Sequence, residues 1–251
     1  MKFIALIPAR YGSSRFEGKP LVKILGTPMI ERVYKRVSDI YDFVAVATDD
    51  SRIEDCVKKF GGNVIMTSQS HKSGTDRVAE AHLKAEKLFN TEFDVVVNVQ
   101  GDEPFVSLEQ LNSIKECFKN KDTQIATLVK PFAAEDDIFN ENTPKVVLSK
   151  DSHAIYFSRS VIPFLRNSEK QNWSKNHQYF KHIGLYAYKS EVLHQITKLE
   201  MGVLEQAESL EQLRWLENGY KVKVAITNSE THAIDTPEDL ILVEKLYKDK
   251  L

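Results

Sequence analysis

The sequence predicts an α/β protein with a mostly parallel sheet. Strand-like and helix-like segments alternate through the first half of the chain, and the strand-like ones are short, continuous runs of apolar residues. Such runs are typical of parallel strands that helices cover on both faces. The composition agrees, since 42% of the 251 residues are hydrophobic and 28% are charged. These values fit a globular domain and exclude disordered, collagen-like and coiled-coil chains.

Element boundaries in the first half follow from local signals. Thr27 and Pro28 are typical of an N-cap and a first helical position. The stretch 51–54, Ser-Arg-Ile-Glu, has the spacing of a capping box, and Gly61 is expected to end that helix. Hydrophobic periodicity predicts strands at residues 3–7, 43–48, 63–66, 95–100 and 124–129, and helices at 76–88 and 108–118.

The second half is less regular. Thr236, Pro237 and the acids that follow them are typical of a helix start. No linker-like composition separates the halves, so we predict one domain over residues 1–251 with a β-rich part around 145–190. The patterns predict strands at 145–148, 154–157, 185–188 and 222–226, a loop at 167–179, and a helix at 204–218 that Gly219 ends.

Charge and cysteine content exclude several classes of protein. Lys and Arg number 34 against 36 Asp and Glu, and this net charge of -2 gives no electrostatic footprint for nucleic acid. Cys56 and Cys117 form neither a disulfide framework nor a zinc motif, which favours a cytoplasmic, reducing setting. The N-terminal apolar run is too short for a signal peptide, and no run of about 18 uncharged apolar residues predicts a membrane span.

The loop after the first strand is the richest candidate site. Ligands of open α/β sheets bind beyond the carboxyl ends of the strands, which selects the loops at 8–19, 49–50 and 101–104. The first loop carries Arg10, Arg15 and Lys19 with Gly-Ser-Ser between them at 12–14. Small residues let backbone N–H groups approach an anion, while Arg and Lys supply the charge for phosphate. The alternative is a solvated polar loop.

Two carboxylates and one helix start are further candidates. Asp102 follows a buried strand, where it could hold Mg²⁺ or simply begin a turn. Asp235 precedes the last helix, and a metal role there requires that it meet Asp102; the alternative is ordinary capping. Ser73, Gly74 and Thr75 precede a helix and suit either a ligand or a plain N-cap.

Polar residues of the second half suggest a site for an acidic, hydroxyl-rich ligand. Arg159 and His182 suit such a ligand, although His182 fits a structural histidine equally well. Glu211 and Arg214 fit an exposed helix face.

Together these segments resemble the sugar-acid cytidylyltransferase family over nearly the whole chain. The N-terminal signature is Pro-Ala-Arg at 8–10, Ser-Ser-Arg at 13–15 and Gly-Lys-Pro at 18–20. The more specific segments are Gln-Gly-Asp-Glu-Pro at 100–104 and Tyr-Phe-Ser-Arg at 156–159, which favour members that use 3-deoxy-manno-octulosonate (Kdo). The chain departs from the family at Phe16-Glu17, where Leu-Pro is usual, and we expect the Glu17 side chain to point to solvent.

The resemblance implies a three-layer α/β/α nucleotidyltransferase fold, a homodimer, and Mg²⁺-dependent transfer of CMP from CTP to Kdo for lipopolysaccharide biosynthesis, with neither nucleic acid nor membrane as a partner. It implies that Asp102 and Asp235 bind the metal. It also implies that these two residues are catalytic, together with Arg10 and Lys19. The implied nucleotide-binding residues are Arg10, Ser13, Arg15, Lys19, Ser73 and Arg77, and the sugar-binding residues are Gln100, Arg159, His182, Tyr186 and Glu211.

Three alternatives stay open at this point. A sister enzyme would act on sialic acid or on an amino analogue of Kdo. A non-catalytic nucleotide-binding module would keep the fold, although the two aspartates and the basic loop argue against it. A dinucleotide dehydrogenase lacks support, because its glycine fingerprint is absent from the sequence.

Overall fold

The computed structural model describes residues 1–12, 16–229 and 233–247. It divides into two compact units, Met1–Asn112 together with the described residues beyond 232, and Ser113–Ser229. No helix within the described ranges is long and apolar enough to cross a membrane.

The strands are β1 (Phe3–Ala9), β2 (Lys23–Ile24), β3 (Thr27–Pro28), β4 (Val44–Thr48), β5 (Val64–Met66), β6 (Val95–Asn98), β7 (Ile125–Pro131), β8 (Lys145–Leu148), β9 (Ala154–Ser158), β10 (Phe180–Lys189) and β11 (Val222–Ile226). The helices are α1 (Met29–Ser38), α2 (Ser51–Lys59), α3 (Gly74–Phe89), α4 (Leu108–Glu116), α5 (Trp173–Asn176), α6 (Ser190–Ile196), α7 (Val203–Glu208), α8 (Gln212–Glu217) and α9 (Pro237–Tyr247).

The first unit is built on a parallel sheet in the order β6-β1-β4-β5. Ile4, Leu6 and Val46 are fully buried, as expected of parallel strands covered on both faces. The alternation of strands and helices that the sequence predicts is confirmed here. Because all four strands run the same way, their carboxyl ends meet at one edge, where ligands of such sheets bind.

Two helix starts in this unit differ from the prediction. The Thr27–Pro28 pair forms β3 against β2, so α1 begins at Met29 and Pro28, not Thr27, is its N-cap. Helix α2 begins at Ser51, and its N-cap is Asp50, whose side chain accepts a hydrogen bond from Arg52 N at 2.9 Å. The capping box placed on 51–54 was therefore wrong by one residue, because the preceding carboxylate already satisfies the helix end.

Two other helix starts confirm the prediction. Ser73 caps α3 by accepting from Asp76 N at 3.1 Å. At α9, Thr236 accepts from Asp239 N at 3.2 Å and its own N–H donates to the Asp239 carboxylate at 2.8 Å. This reciprocal pair is a capping box.

The second unit is mostly antiparallel. Strand β11 pairs with β7 in parallel, while β10 pairs antiparallel with β7 and β8, and β8 with β9. Buried aromatic rings fill its core, with the rings of Tyr188 and Trp215 at 5.5 Å between centroids. The β-rich part predicted around 145–190 is thus formed by β8, β9 and β10. The single-domain assignment stays a prediction.

Two elements of the second unit were wrongly predicted. The region taken as a loop, 167–179, contains α5, because Trp173 is buried against Phe132 and Ile138 and fixes that turn. The helix predicted at 204–218 is split into α7 and α8 by Ser209, which has a φ of 51°. Strand β10 is also longer than the predicted 185–188, since it pairs on both edges.

Candidate active site

A cavity of about 260 Å³ lies in the first unit, at the end of β1 and the start of α3. This volume is close to the lower end of the range for small-molecule sites. Seven of the residues singled out in the sequence line it, and they are Arg10, Lys19, Ser73, Arg77, Gln100, Asp102 and Asp235. Ser13 and Arg15, two further candidates, lie outside the described residues.

Lys19 joins the two carboxylates of this cavity. Its Nζ donates to Asp102 Oδ2 at 2.7 Å and to Asp235 Oδ1 at 3.0 Å. The lysine side chain is 14% exposed, so the pairs are shielded more than surface ion pairs. Asp102 and Asp235 therefore lie close together, as a metal role for Asp235 requires, and both accept hydrogen bonds from the Lys19 ammonium group.

The backbone brings the two acids together. Ile234 N donates to Asp102 O at 3.0 Å, which ties the residue before Asp235 to the loop after β6. At Gly101 a Cβ would lie 2.8 Å from Pro8 O, so only glycine lets this loop approach the end of β1 so closely.

Arg77 is held rigidly at the side of the cavity. It is 5% exposed. Its Nη1 donates to Thr67 Oγ1 at 2.6 Å and its Nη2 to Asp49 Oδ2 at 2.8 Å. The Asp49 carboxylate follows β4, so the predicted ligand-binding loop at 49–50 supplies a residue that orients Arg77.

His71 belongs to the candidate segment 71–77, and although the sequence assigns it no role, it also lines the cavity. Its Nε2 contacts the Glu80 carboxylate, which also accepts from Ser68 N at 2.9 Å and from Lys84 at 2.6 Å. Burial raises the pKa of Glu80, but the hydrogen bonds from Lys84, Ser68 and His71 outweigh it and lower that pKa to about 2. The available signal was a histidine two residues before the N-cap Ser73, with an acid, Glu80, in the second turn of α3.

The two carboxylates suit a hard cation only together with a substrate. Among the residues that the structure describes, no group of three or more His, Cys, Asp and Glu could hold a metal ion. Mg²⁺ needs only one or two carboxylates when phosphate oxygens and water complete its coordination. Asp102 and Asp235 fit such a shared site, provided that Lys19 turns from them towards the phosphates.

Arg159, in the second unit, is positioned by backbone groups. Its guanidinium donates to Glu208 O at 2.7 Å and to Glu141 O at 3.0 Å, and its carbonyl accepts from Lys145 at 2.7 Å. Lys145 is fully buried, and burial lowers its pKa. Since guanidinium has five N–H groups, donors remain on Arg159 for a carboxylate ligand.

His182 and Tyr186 lie in one aromatic cluster of the same unit. Their rings are 5.2 Å apart, and the His182 ring also contacts Phe157 at 5.2 Å. Burial lowers the pKa of His182 to about 4, so the ring is neutral near pH 7. His182 Nε2 is 3.0 Å from Thr127 Oγ1. Burial likewise raises the pKa of Tyr186 well above its ordinary value, so both side chains offer neutral hydrogen-bonding groups.

Glu211 and Arg214 do not share an exposed helix face as predicted. Glu211 is the half-buried N-cap of α8. Arg214 is 13% exposed and donates to Glu205 through Nε at 2.6 Å and Nη2 at 2.7 Å. This bidentate pair ties α8 to α7, so Arg214 is structural.

The cavity at the strand ends, with cations beside two carboxylates, is the kind of site that α/β proteins use for charged ligands. A family model described as cytidylyltransferase matches residues 4–226. The chain is 59% identical to a 3-deoxy-manno-octulosonate cytidylyltransferase of Parabacteroides distasonis, over 96% of each chain. It is 58% identical to the protein of the same name from Bacteroides thetaiotaomicron, over the full length of both.

A solved structure gives the same result at the level of the fold. CMP:2-keto-3-deoxy-manno-octonic acid synthetase complexed with CTP is 39% identical, with a TM-score of 0.90 and full coverage of both chains. The chain belongs to the cytidylyltransferase family. The nucleotidyltransferase fold implied by the sequence is thereby confirmed.

Proposed function

We propose that this enzyme transfers CMP from CTP to the anomeric hydroxyl of Kdo and releases pyrophosphate, a step of lipopolysaccharide biosynthesis. The observation that carries the proposal is the position of Lys19 between Asp102 and Asp235 in a cavity that Arg10 and Arg77 also line. The names of the relatives, and the CTP in the related structure, support the choice of both substrates.

The reaction is a direct displacement at phosphorus. The anomeric oxygen of Kdo forms a bond to the α-phosphorus, the bond from that phosphorus to the β-phosphate oxygen breaks, and pyrophosphate leaves as the hydroxyl proton is lost. Positioning and charge neutralisation dominate such reactions. Lys19 and Arg10 would neutralise charge on the phosphates, with Ser13 and Arg15 proposed as further ligands.

The cytosine would be read on the other side of the cavity. The guanidinium of Arg77 is held by Thr67 and Asp49, so it can present its remaining donors at low entropic cost. Ser73 Oγ already accepts the α3 capping bond, and its hydroxyl proton remains available for an acceptor on the base.

Asp102 and Asp235 would hold a magnesium ion, which when bound would supply the Lewis acidity that lowers the pKa of the attacking hydroxyl. In that state Lys19 would turn towards the phosphates and leave both carboxylates. The carboxylates would then be the groups that set the affinity for the ion, while Lys19 would set the affinity for the triphosphate.

Within the second unit, Arg159, His182, Tyr186 and Glu211 would hold the sugar acid; the sugar-binding role of Gln100, in the first unit, stays a prediction. Arg159 is the group for the Kdo carboxylate, because two N–H groups remain after its observed contacts to Glu208, Glu141 and Ser209. The neutral His182 and Tyr186 suit the sugar hydroxyls.

We also propose a homodimer in the cytoplasm. Ile155, on β9, and Phe164 are 58% and 69% exposed, and pairing of two β-rich parts would remove such apolar surface from water. The cytoplasm supplies CTP, and the free Cys56 and Cys117 suit its reducing conditions.

The deciding experiment is a pyrophosphate-release assay with four nucleoside triphosphates, each combined with Kdo, its amino analogue and sialic acid, with and without Mg²⁺. Fastest turnover with CTP, Kdo and Mg²⁺ is expected. Higher kcat/KM on either other sugar would assign a sister activity, and CTP binding without pyrophosphate release would indicate a non-catalytic module.

A further inference from the structure

A contact between Tyr11 and Gly18 closes the loop that follows β1. Gly18 N donates to Tyr11 O at 2.9 Å. Gly18 has a φ of 68°, and a Cβ there would lie 3.1 Å from the Tyr11 ring, so the ring lies directly on the glycine. Arg10 precedes this contact and Lys19 follows it, which means that the contact fixes the backbone beside both cations.

The outer face of the Tyr11 ring is covered by Arg52 from α2. The guanidinium carbon lies 3.2 Å from the ring centroid, a close cation–π stack. Asp50 fixes the position of the guanidinium, because it accepts from Arg52 Nε at 2.9 Å and from Nη2 at 2.6 Å. Asp50 is also the N-cap of α2, so the start of that helix sets the position of the stack.

The positive charge of Arg52 in this stack also lies near the acidic side chain of Glu17. Glu17 is the residue at which the chain departs from the family signature, and its side chain is exposed, as expected. Glu17 directly precedes Gly18, which lies against the Tyr11 ring on which Arg52 stacks. In agreement with this position, hydrogen bonding to Asp50 raises the pKa of Arg52, and the charge of Glu17 adds to the rise. An acid beside a loop that binds a triphosphate would repel the ligand unless a nearby cation offsets it.

We propose that Arg52 is a positioning residue for the nucleotide-binding loop: it holds Tyr11 on Gly18 and offsets the charge of Glu17. The inference rests on the proposed function only in taking CTP as the ligand. Arg52 does not line the cavity in the described part of the chain, and its side chain is 57% exposed. Its loss should therefore weaken CTP binding with little effect on folding.

The test compares CTP affinity, by calorimetry in the presence of Mg²⁺, between the wild type, Arg52→Ala, Glu17→Ala and the double variant. Arg52→Ala should bind CTP about fivefold to tenfold more weakly, since it loses one stack and one offsetting charge. Adding Glu17→Ala should restore at least half of that loss on a logarithmic scale. Lys58→Ala, which removes an exposed cation paired with Glu54 on the same helix, is the matched control and should bind as the wild type.

Hydrogen exchange of the peptide containing residues 11–18 gives a readout that needs no substrate. Exchange should be faster in Arg52→Ala than in wild type and unchanged in Lys58→Ala. In steady-state assays the KM for CTP should rise and the KM for Kdo should not. Unchanged CTP affinity in Arg52→Ala, or a loss that Glu17→Ala does not reduce, would overturn the inference. If the wild type bound no CTP, the proposed function would fail, and equal exchange in wild type and Arg52→Ala would then overturn the inference separately.

Discussion

Lys19 Nζ lies 2.7 Å from the Oδ2 atom of Asp102, although 83 residues separate them in the sequence. The ammonium group is also 3.0 Å from Asp235. One cation thus pairs with two acids in the lining of the cavity. When a triphosphate binds together with a divalent ion, Lys19 would pair with the phosphates and the ion would pair with Asp102 and Asp235. No carboxylate would then lose its cation without gaining another.

The first prediction is that loss of the Lys19 charge lowers kcat far more than it lowers the stability of the fold. Lys19→Met keeps the aliphatic stem and loses the charge, so kcat should fall about a hundredfold or more, because stabilisation of the developing phosphate charge is lost. Steady-state pyrophosphate release measures this. Lys23→Met, an exposed lysine on β2, is the control, and equal losses in both variants would contradict a specific role for Lys19.

The second prediction tests the role of the Asp102 carboxylate independently of Lys19. Asp102→Asn preserves the size of the side chain and should lower kcat by about two orders of magnitude, with a higher Mg²⁺ concentration needed for half-maximal activity. A Mg²⁺ titration of pyrophosphate release at saturating CTP measures both.

Asp94→Asn provides the control for Asp102→Asn. Asp94 is a surface acid that accepts from Lys2 N at 2.7 Å, and its variant should behave as the wild type. An unchanged Mg²⁺ requirement in Asp102→Asn would remove this carboxylate from the metal site.

The sequence predicts the framework of the first unit well because burial dictates it. The strands β1, β4 and β6 are covered on both faces, so their sequences are continuous, mostly apolar runs of the length typical of buried parallel strands. Their order places the loops at their carboxyl ends beside one another. The sequence therefore identifies the loops bearing Lys19 and Asp102 as ligand-binding loops, although it does not predict the contact between these two residues.

The missed features depend on partners distant in sequence or on backbone exceptions. Arg52 stacks on a ring 41 positions earlier. Lys145 can be buried because the backbone carbonyls of Asn140 and Arg159 accept hydrogen bonds from its ammonium group. Ser209 interrupts a helical pattern that continues on both sides, since its left-handed conformation leaves no trace in hydrophobic periodicity. Local patterns do not contain this information.

The third prediction tests the close approach of two loops. In Gly101→Ala the added Cβ would meet Pro8 O, which is backbone and can yield only if the end of β1 moves. The free energy of unfolding should fall by about 1–3 kcal/mol, measured by urea denaturation. Gly184→Ala, where nothing lies within 4 Å of the added atom, should be near neutral. If both variants were equally stable, Gly101 would not be required for this approach.

The last prediction concerns pH and His182. Its folded-state pKa of about 4 lies below the usual value of about 6.5, so the unfolded chain takes up a proton first as the pH falls. The stability linked to the neutral ring is therefore complete above pH 6.5 and is lost as the pH falls towards 4, by about 3 kcal/mol in all. Urea denaturation at pH 7, 5.5 and 4.5 should show this slope, and His182→Gln should flatten it. In an NMR titration the His182 ring signal should have a midpoint near 4, whereas a midpoint above 6 would show that the ring is not held neutral by burial.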